Sequence, residues 1–427
     1  MQEDVFPAAE KILSDIENVL KKDPNLVSFE IIPAEDNKNK SPVFHDENSL
    51  GLASWSVQPL FSYAYNRLLD LRQNKHRRED SGTVSKWLLG VLLLNPDIST
   101  FWNMKRELVK SGRLDPMQEL GFASIVLYYK SKCFEAFAYR RWLVKFILME
   151  STHSVNVDSI LRNEFKVAAM AADRYANNCH AWSHREYALG LFETLAPEDL
   201  NPLLQTEWEE SSNWCNRHVS DYSGFAYRQF LLKKLLLYRR NREEGAPSPE
   251  RVAKSRELVF KFAKAGTRGC NDVFLLFDGS SDQVLDLMHD SENEKRVSDY
   301  EQCLINLSYW AEECMLNEDL IISFPGHEAL WCHRRFLAYS LLALQTSYKK
   351  YSYYKSENFD PCQGIRPRIE INRSRTVDSA SVSKGLLELA FRNHNHDVIA
   401  LAKKSGNHQH SLAEKFIKYL KFIDLEL

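Results

Sequence analysis

The sequence predicts an all-α protein, a solenoid of stacked helical hairpins, and three observations carry that prediction. First, an aromatic followed three residues later by a base recurs five times, at Trp102 and Lys105, Phe137 and Arg140, Trp182 and Arg185, Phe225 and Arg228, and Trp331 and Arg334. Second, apolar residues keep helical spacing almost without a break from Thr83 to residue 238, in segments of roughly 12–18 residues. Third, 15 Gly and 14 Pro in 427 residues are too few for a protein built on many tight β turns.

Taken in order, the chain opens with a helical pattern over 4–22, where Phe6, Ile12, Leu13, Ile16, Val19 and Leu20 share one side. Val27–Ile32 reads as a short strand and 34–50 as polar loop. Helical patterning resumes over Val57–Arg72 and Thr83–Leu94. The stretch Asn177-Asn178-Cys179-His180 is poor helix-forming material and reads as a tight connection, its Asn and His available to cap the helix that Ala181 and Trp182 open. Past Tyr238, Arg239–Pro249 is a polar linker rich in helix breakers, followed by helices at 251–264, 281–289 and 298–316. The stretch 346–380 has little periodicity and reads as a flexible insert, and helices over 382–403 and 411–424 close the chain. The division that follows is 1–84 for an N-terminal helix and extension, 85–240 for four repeats, 241–316 for a divergent helical insert, 317–345 for a fifth repeat, 346–380 for the flexible insert and 381–427 for C-terminal helices.

The repeat explains the fold. Its anchors lie 35, 45, 43 and 106 residues apart, and the first three intervals fit one helical hairpin each. Such a hairpin is too small to hold a core alone, so neighbours must stack. An inserted Trp or Phe is a natural latch, since burying one is worth about 1.5–3 kcal/mol. On this reading the aromatics are core, and the bases cap or brace hairpin ends.

Composition narrows the function. A net charge of −3 gives no general pull toward nucleic acid. The longest apolar run, Trp87–Leu94, is far short of a membrane span. The N-terminal residues lack a secretory pattern, and the eight cysteines form no C-x-x-C pair, so reduced thiols and a cytoplasmic location are expected.

The phrase Asn-x-x-Ala-Trp-x-His-Arg, with its relatives at these spacings, resembles the protein prenyltransferase α-subunit repeat over roughly residues 85–340. That resemblance implies a right-handed α-α superhelix forming a crescent around a β subunit, a Rab geranylgeranyltransferase-type chain being the preferred partner. The β subunit would hold the catalytic zinc and the isoprenoid, and this chain no metal or cofactor of its own. The reaction implied is transfer of an isoprenyl group from geranylgeranyl diphosphate to a cysteine thiol near the C-terminus of a protein substrate. In the family the second repeat offers Lys-x-Tyr-x-x-Trp and the third Asn-Tyr-His-Ala-Trp. The matching positions are Lys132 with Phe134, and Cys179 with His180. Lys132 and His180 are thus the implied catalytic residues on the diphosphate side, while Phe134 and Cys179 each lack the family's hydroxyl.

Two weaker signals are set against this. His180 and His184 have metal-ligand spacing but no third ligand, so no metal is expected there. His394, His396, His408 and His410 lie in polar surroundings and read as solvated. No phosphate-binding loop or nucleophile elbow occurs. The alternative function is a non-catalytic helical scaffold that binds other proteins.

Overall fold

A computed structural model describes residues 6–34, 41–74, 79–150, 156–237, 247–266, 297–353 and 386–425. The expected helix at 281–289 lies outside the described residues; of the insert expected over 346–380, residues 346–353 are helical and 354–380 lie outside the described residues. The chain divides into two compact units, Met1–Pro202 and Leu203–Leu427. Each is built of paired helices, as the repeats require.

In the first unit, α1 (Ala9–Lys22) precedes three short strands, β1 (Ser28–Ile32), β2 (Val43–Asp46) and β3 (Ser49–Ala53). They form one sheet in the order β1-β3-β2, with β1 parallel to β3 and β2 antiparallel to it. The reading of 34–50 as loop is corrected here. A lone strand at β1 could not satisfy its backbone, and the hairpin of β2 and β3, turning through Glu47 at φ 46°, supplies the missing ladder. Phe29 of β1 is buried and meets the Tyr129 ring at 5.1 Å.

Then come α2 (Ser54–Gln73), α3 (Ser81–Leu94), α4 (Ser99–Lys110), α5 (Pro116–Tyr129), α6 (Phe134–Glu150), α7 (Val157–Arg174) and α8 (Cys179–Leu195). Helix starts follow local chemistry. Asp80 accepts from the Gly82 and Thr83 amides to open α3, and Asp115 caps α5 with Pro116 in its first turn. Helix α3 is apolar on every side and buries all residues from Trp87 to Leu94, because α1, α2, α4 and α5 surround it. Glu10 of α1 accepts from the Trp87 indole at 2.7 Å and the Tyr63 hydroxyl at 2.8 Å, joining the first three helices.

The second unit holds α9 (Leu200–Arg217), α10 (Tyr222–Leu237), α11 (Pro249–Gly266), α12 (Val297–Ser323), α13 (Glu328–Tyr353), α14 (Leu386–Lys404) and α15 (Asn407–Phe422). Trp310 of α12, fully buried, is its centre, with Phe262 of α11 and Phe391 of α14 at 5.3 and 5.5 Å. Gly266 lets α11 and α14 touch, since a Cβ there would stand 2.5 Å from the Ala390 carbonyl oxygen. The expected solvation of His394 is corrected. It is buried, stacks on Phe262 at 4.6 Å, and places Nδ1 2.9 Å from Glu318 and Nε2 3.1 Å from the Phe262 carbonyl. His396, His408 and His410 are exposed.

Candidate functional site

The five anchor aromatics occupy one structural position. Trp102, Phe137, Trp182, Phe225 and Trp331 are each the fourth residue of the second helix of their hairpin, and each base is the seventh. All ten side chains are buried. The bases therefore do not brace hairpin ends. Nearly two turns inside the helix they sit where charge needs a counter-charge, and Lys105, Arg140 and Arg228 find it on a neighbouring hairpin. Arg140 makes a two-pronged pair with Glu164 of α7, Nε to Oε2 at 2.6 Å and Nη2 to Oε1 at 2.8 Å, and its Nη1 donates to the Leu120 carbonyl of α5 at 2.7 Å. Arg228 repeats this with Glu313 of α12 at 2.7 Å and the Trp208 carbonyl of α9 at 2.7 Å. Lys105 meets Glu119 of α5 at 2.7 Å, and Arg334 meets an amide instead, Asn395 of α14, at 2.7 Å. Arg185 lies over the Phe165 ring at 5.3 Å and donates to the Phe165 carbonyl at 3.4 Å.

Sequence reasoning missed the glutamates. Glu119, Glu164, Glu207 and Glu313 each stand eighteen residues before an anchor, and each accepts a bond from the residue two beyond that anchor. The donors are Tyr139 at 2.7 Å, His184 at 2.8 Å, Tyr227 at 2.5 Å and His333 at 2.6 Å. Burial opposes ionisation of Glu164 and Glu313, but Arg140 with His184, and Arg228 with His333, outweigh it. Both carboxyls are held below their ordinary range, Glu313 at about 2. His184 is pushed down by burial against the pull of Glu164. The constant eighteen-residue offset was the available signal.

The polar tips form a separate cluster. Lys132 lies in the turn between α5 and α6, Phe134 is the first residue of α6, and Cys179 and His180 are the first two of α8. Lys132, Phe134 and Cys179 are exposed and His180 is half-buried. The fold brings the two hairpin tips together. The Phe134 and His180 rings meet edge to face at 5.5 Å, and the Lys132 ammonium stands 4.6 Å over the Tyr175 ring. Burial, then Lys132 and Arg141, lower the His180 pKa from its ordinary value, with Glu135 opposing. Of the two residues expected to cap α8, Asn178 does so and His180 does not. Asn178 Oδ1 accepts from the Ala181 amide at 3.2 Å, while its Nδ2 donates to the Ser131 carbonyl at 2.6 Å and the Ala171 carbonyl at 3.0 Å.

Among the described residues one group could offer three metal-binding atoms, Asp97, Cys133 and Glu135, within 4.8 Å of one another. The Cys133 thiol, pushed up to about 12 by burial and turned toward the Pro96 carbonyl, is set to remain protonated. His180 and His184 share no such group among the described residues, and His184 is committed to Glu164.

The family model for the protein prenyltransferase alpha subunit repeat matches residues 161–192, 204–235 and 310–341. Glutamate and anchor fall at the fourth and twenty-second residues of every match. The protein prenyltransferase alpha subunit repeat-containing protein 1 of Homo sapiens is 32% identical over 79% of this chain and 79% of its own length. Protein 1-A of the same name from Xenopus laevis is 32% identical over 78% of this chain and 72% of its own. The geranylgeranyl transferase type-2 subunit alpha of Candida albicans is 24% identical over 38% of this chain and 44% of its own. With the relatives aligned over most of both chains, and one register of glutamate, aromatic and base in every matched segment, the chain belongs to the protein prenyltransferase alpha subunit repeat family.

Proposed function

We propose that this chain is the α subunit of a heterodimeric, cytoplasmic protein geranylgeranyltransferase, lending Lys132 and His180 to the diphosphate side of a shared site. The observation that carries the reading is their assembly. Residues from two hairpins meet at one edge, the Phe134 ring of one tip lying 5.5 Å from the His180 ring of the other and the Lys132 ammonium 4.6 Å over the Tyr175 ring. The distant likeness to geranylgeranyl transferase type-2 α subunits supports the substrate class. Among the described residues no helix is long and apolar enough to cross a membrane.

In the reaction, a cysteine sulfur bonds to C1 of the isoprenyl chain as the C1–O bond breaks and diphosphate leaves. Zinc on the β chain would supply the thiolate. The part of this chain is electrostatic. Lys132 offsets charge growing on the leaving oxygens. His180 offers a ring N–H to a diphosphate oxygen.

The test is single-turnover transfer to a cysteine-bearing acceptor by the heterodimer with a Rab-type β chain. Lys132→Ala and His180→Ala should leave assembly intact and slow transfer, by on the order of 10²–10³ for a lost donor to transition-state charge. Unchanged rates in both variants would favour the second reading, a non-catalytic scaffold. Phe134 and Cys179, which offer no hydroxyl at the tips, point that way.

A further inference from the structure

Lys132 and His180 come from different hairpins, and a lysine with four rotatable bonds does not stay beside an imidazole unaided. Beside the Phe134–His180 ring pair, two further contacts join the tips. At the base, fully buried Asn178 holds the carbonyl of Ser131, the residue before Lys132, and so fixes where that side chain begins. Above it, the ring of Tyr175 lies 4.6 Å from the Lys132 ammonium. Tyr175 follows the last residue of α7 and is 50% exposed, so its ring stands on the hairpin that carries His180 without belonging to the core. Resting on the function proposed above, we infer that Tyr175 is a positioning residue whose ring face holds the Lys132 ammonium beside His180, across the seam between two hairpins.

The ring quadrupole attracts the cation without consuming its donor protons, so all three N–H groups stay available to an anion. At an exposed site such a contact favours the held rotamer about two- to fivefold. The groups acting on His180 are Lys132 and Arg141, which oppose its protonation, and Glu135, which favours it, with the Phe134 ring against its face. Among them Lys132 alone is held by Tyr175, so the titration of His180 reports whether the ammonium is in place.

The experiment is a histidine-resolved NMR titration of the full chain, with the His180 signal assigned through His180→Gln. Lys132→Met should raise the His180 midpoint, since the opposing cation is gone. Tyr175→Leu should raise it by a smaller amount in the same direction, and Tyr175→Phe should leave it unchanged. Thermal midpoints of both Tyr175 variants should match the parent. The inference is overturned if Tyr175→Leu leaves the His180 midpoint in place, if Tyr175→Phe shifts it as far as Tyr175→Leu, or if Lys132→Met does not raise it. In the heterodimer, Tyr175→Leu should slow single-turnover transfer about two- to fivefold while Tyr175→Phe does not. A parent heterodimer that transfers nothing would overturn the proposed function and leave the titration to decide the role of Tyr175.

Discussion

Glu164→Gln isolates one rung of the buried ladder. The carboxylate is fully buried, is bound by Arg140 at 2.6 and 2.8 Å, and accepts from His184 at 2.8 Å. Glutamine keeps the shape but removes the charge, and its single oxygen cannot serve three donors. Arg140 would lose the two-pronged pair, keeping at most a neutral bond to the amide oxygen beside those to the Leu120 carbonyl and the Ser124 hydroxyl, both at 2.7 Å. Removing one partner of a buried pair costs about 3–5 kcal/mol, because the other charge is left uncompensated. With a urea slope of about 2 kcal/mol/M, the unfolding midpoint followed by circular dichroism should fall by about 1.5–2.5 M. Arg140→Met should cost a similar amount. The double variant, with no charge left to bury, should cost well under the sum, giving a coupling energy of up to about 3 kcal/mol. Additive single effects, or a loss below about 1 kcal/mol for Glu164→Gln, would refute the claim that this pair joins the hairpins.

Acid should loosen the fold in two windows. His184, kept neutral below the 6.5 of a free imidazole by burial, leaves the unfolded chain the better proton binder, so its contribution is complete above about pH 6.5 and declines below it. Glu164 and Glu313 have depressed values, so their stabilisation is present above about 4.5 and lost as pH falls through the folded values, for Glu313 toward about 2, and Glu313→Gln should reduce the loss in this window in a fluorescence-monitored titration while Glu164 keeps its share. Gly266→Ala should force α11 and α14 apart, at a cost of about 1–3 kcal/mol, and raise amide exchange in α14.

The anchors were legible because an aromatic and a base three apart share a helix side, and that pattern survives any loop length. The tips were legible only through likeness to a family, since Lys132 and His180 are far apart in sequence and meet through a turn that Asn178 ties down. The buried glutamates were hidden for a physical reason. A carboxylate on an amphipathic helix looks like surface, and its partner lies on another hairpin, fourteen residues away for Lys105 and Glu119 but eighty-five for Arg228 and Glu313. His394 was misread in the same way, by its polar neighbours in sequence rather than by the Phe262 ring that covers it. The sheet escaped because Ser49-Leu-Gly-Leu-Ala53 has little β-branched character and takes its strand conformation from pairing with β1.

The reach of Arg228 to Glu313 has a consequence for how such chains can lengthen. The bond that joins α10 to α12 is indifferent to how much polypeptide runs between its two ends, because its strength depends on local geometry while loop closure grows only slowly with length. Additional sequence can therefore be accommodated between rungs without unfastening them, as α11 is, lying alongside α12 and α14 rather than in the alternation of the repeats. Length differences among relatives should gather at these junctions. The glutamate, aromatic and base would then keep their mutual count within each hairpin, however far apart in the chain successive hairpins drift.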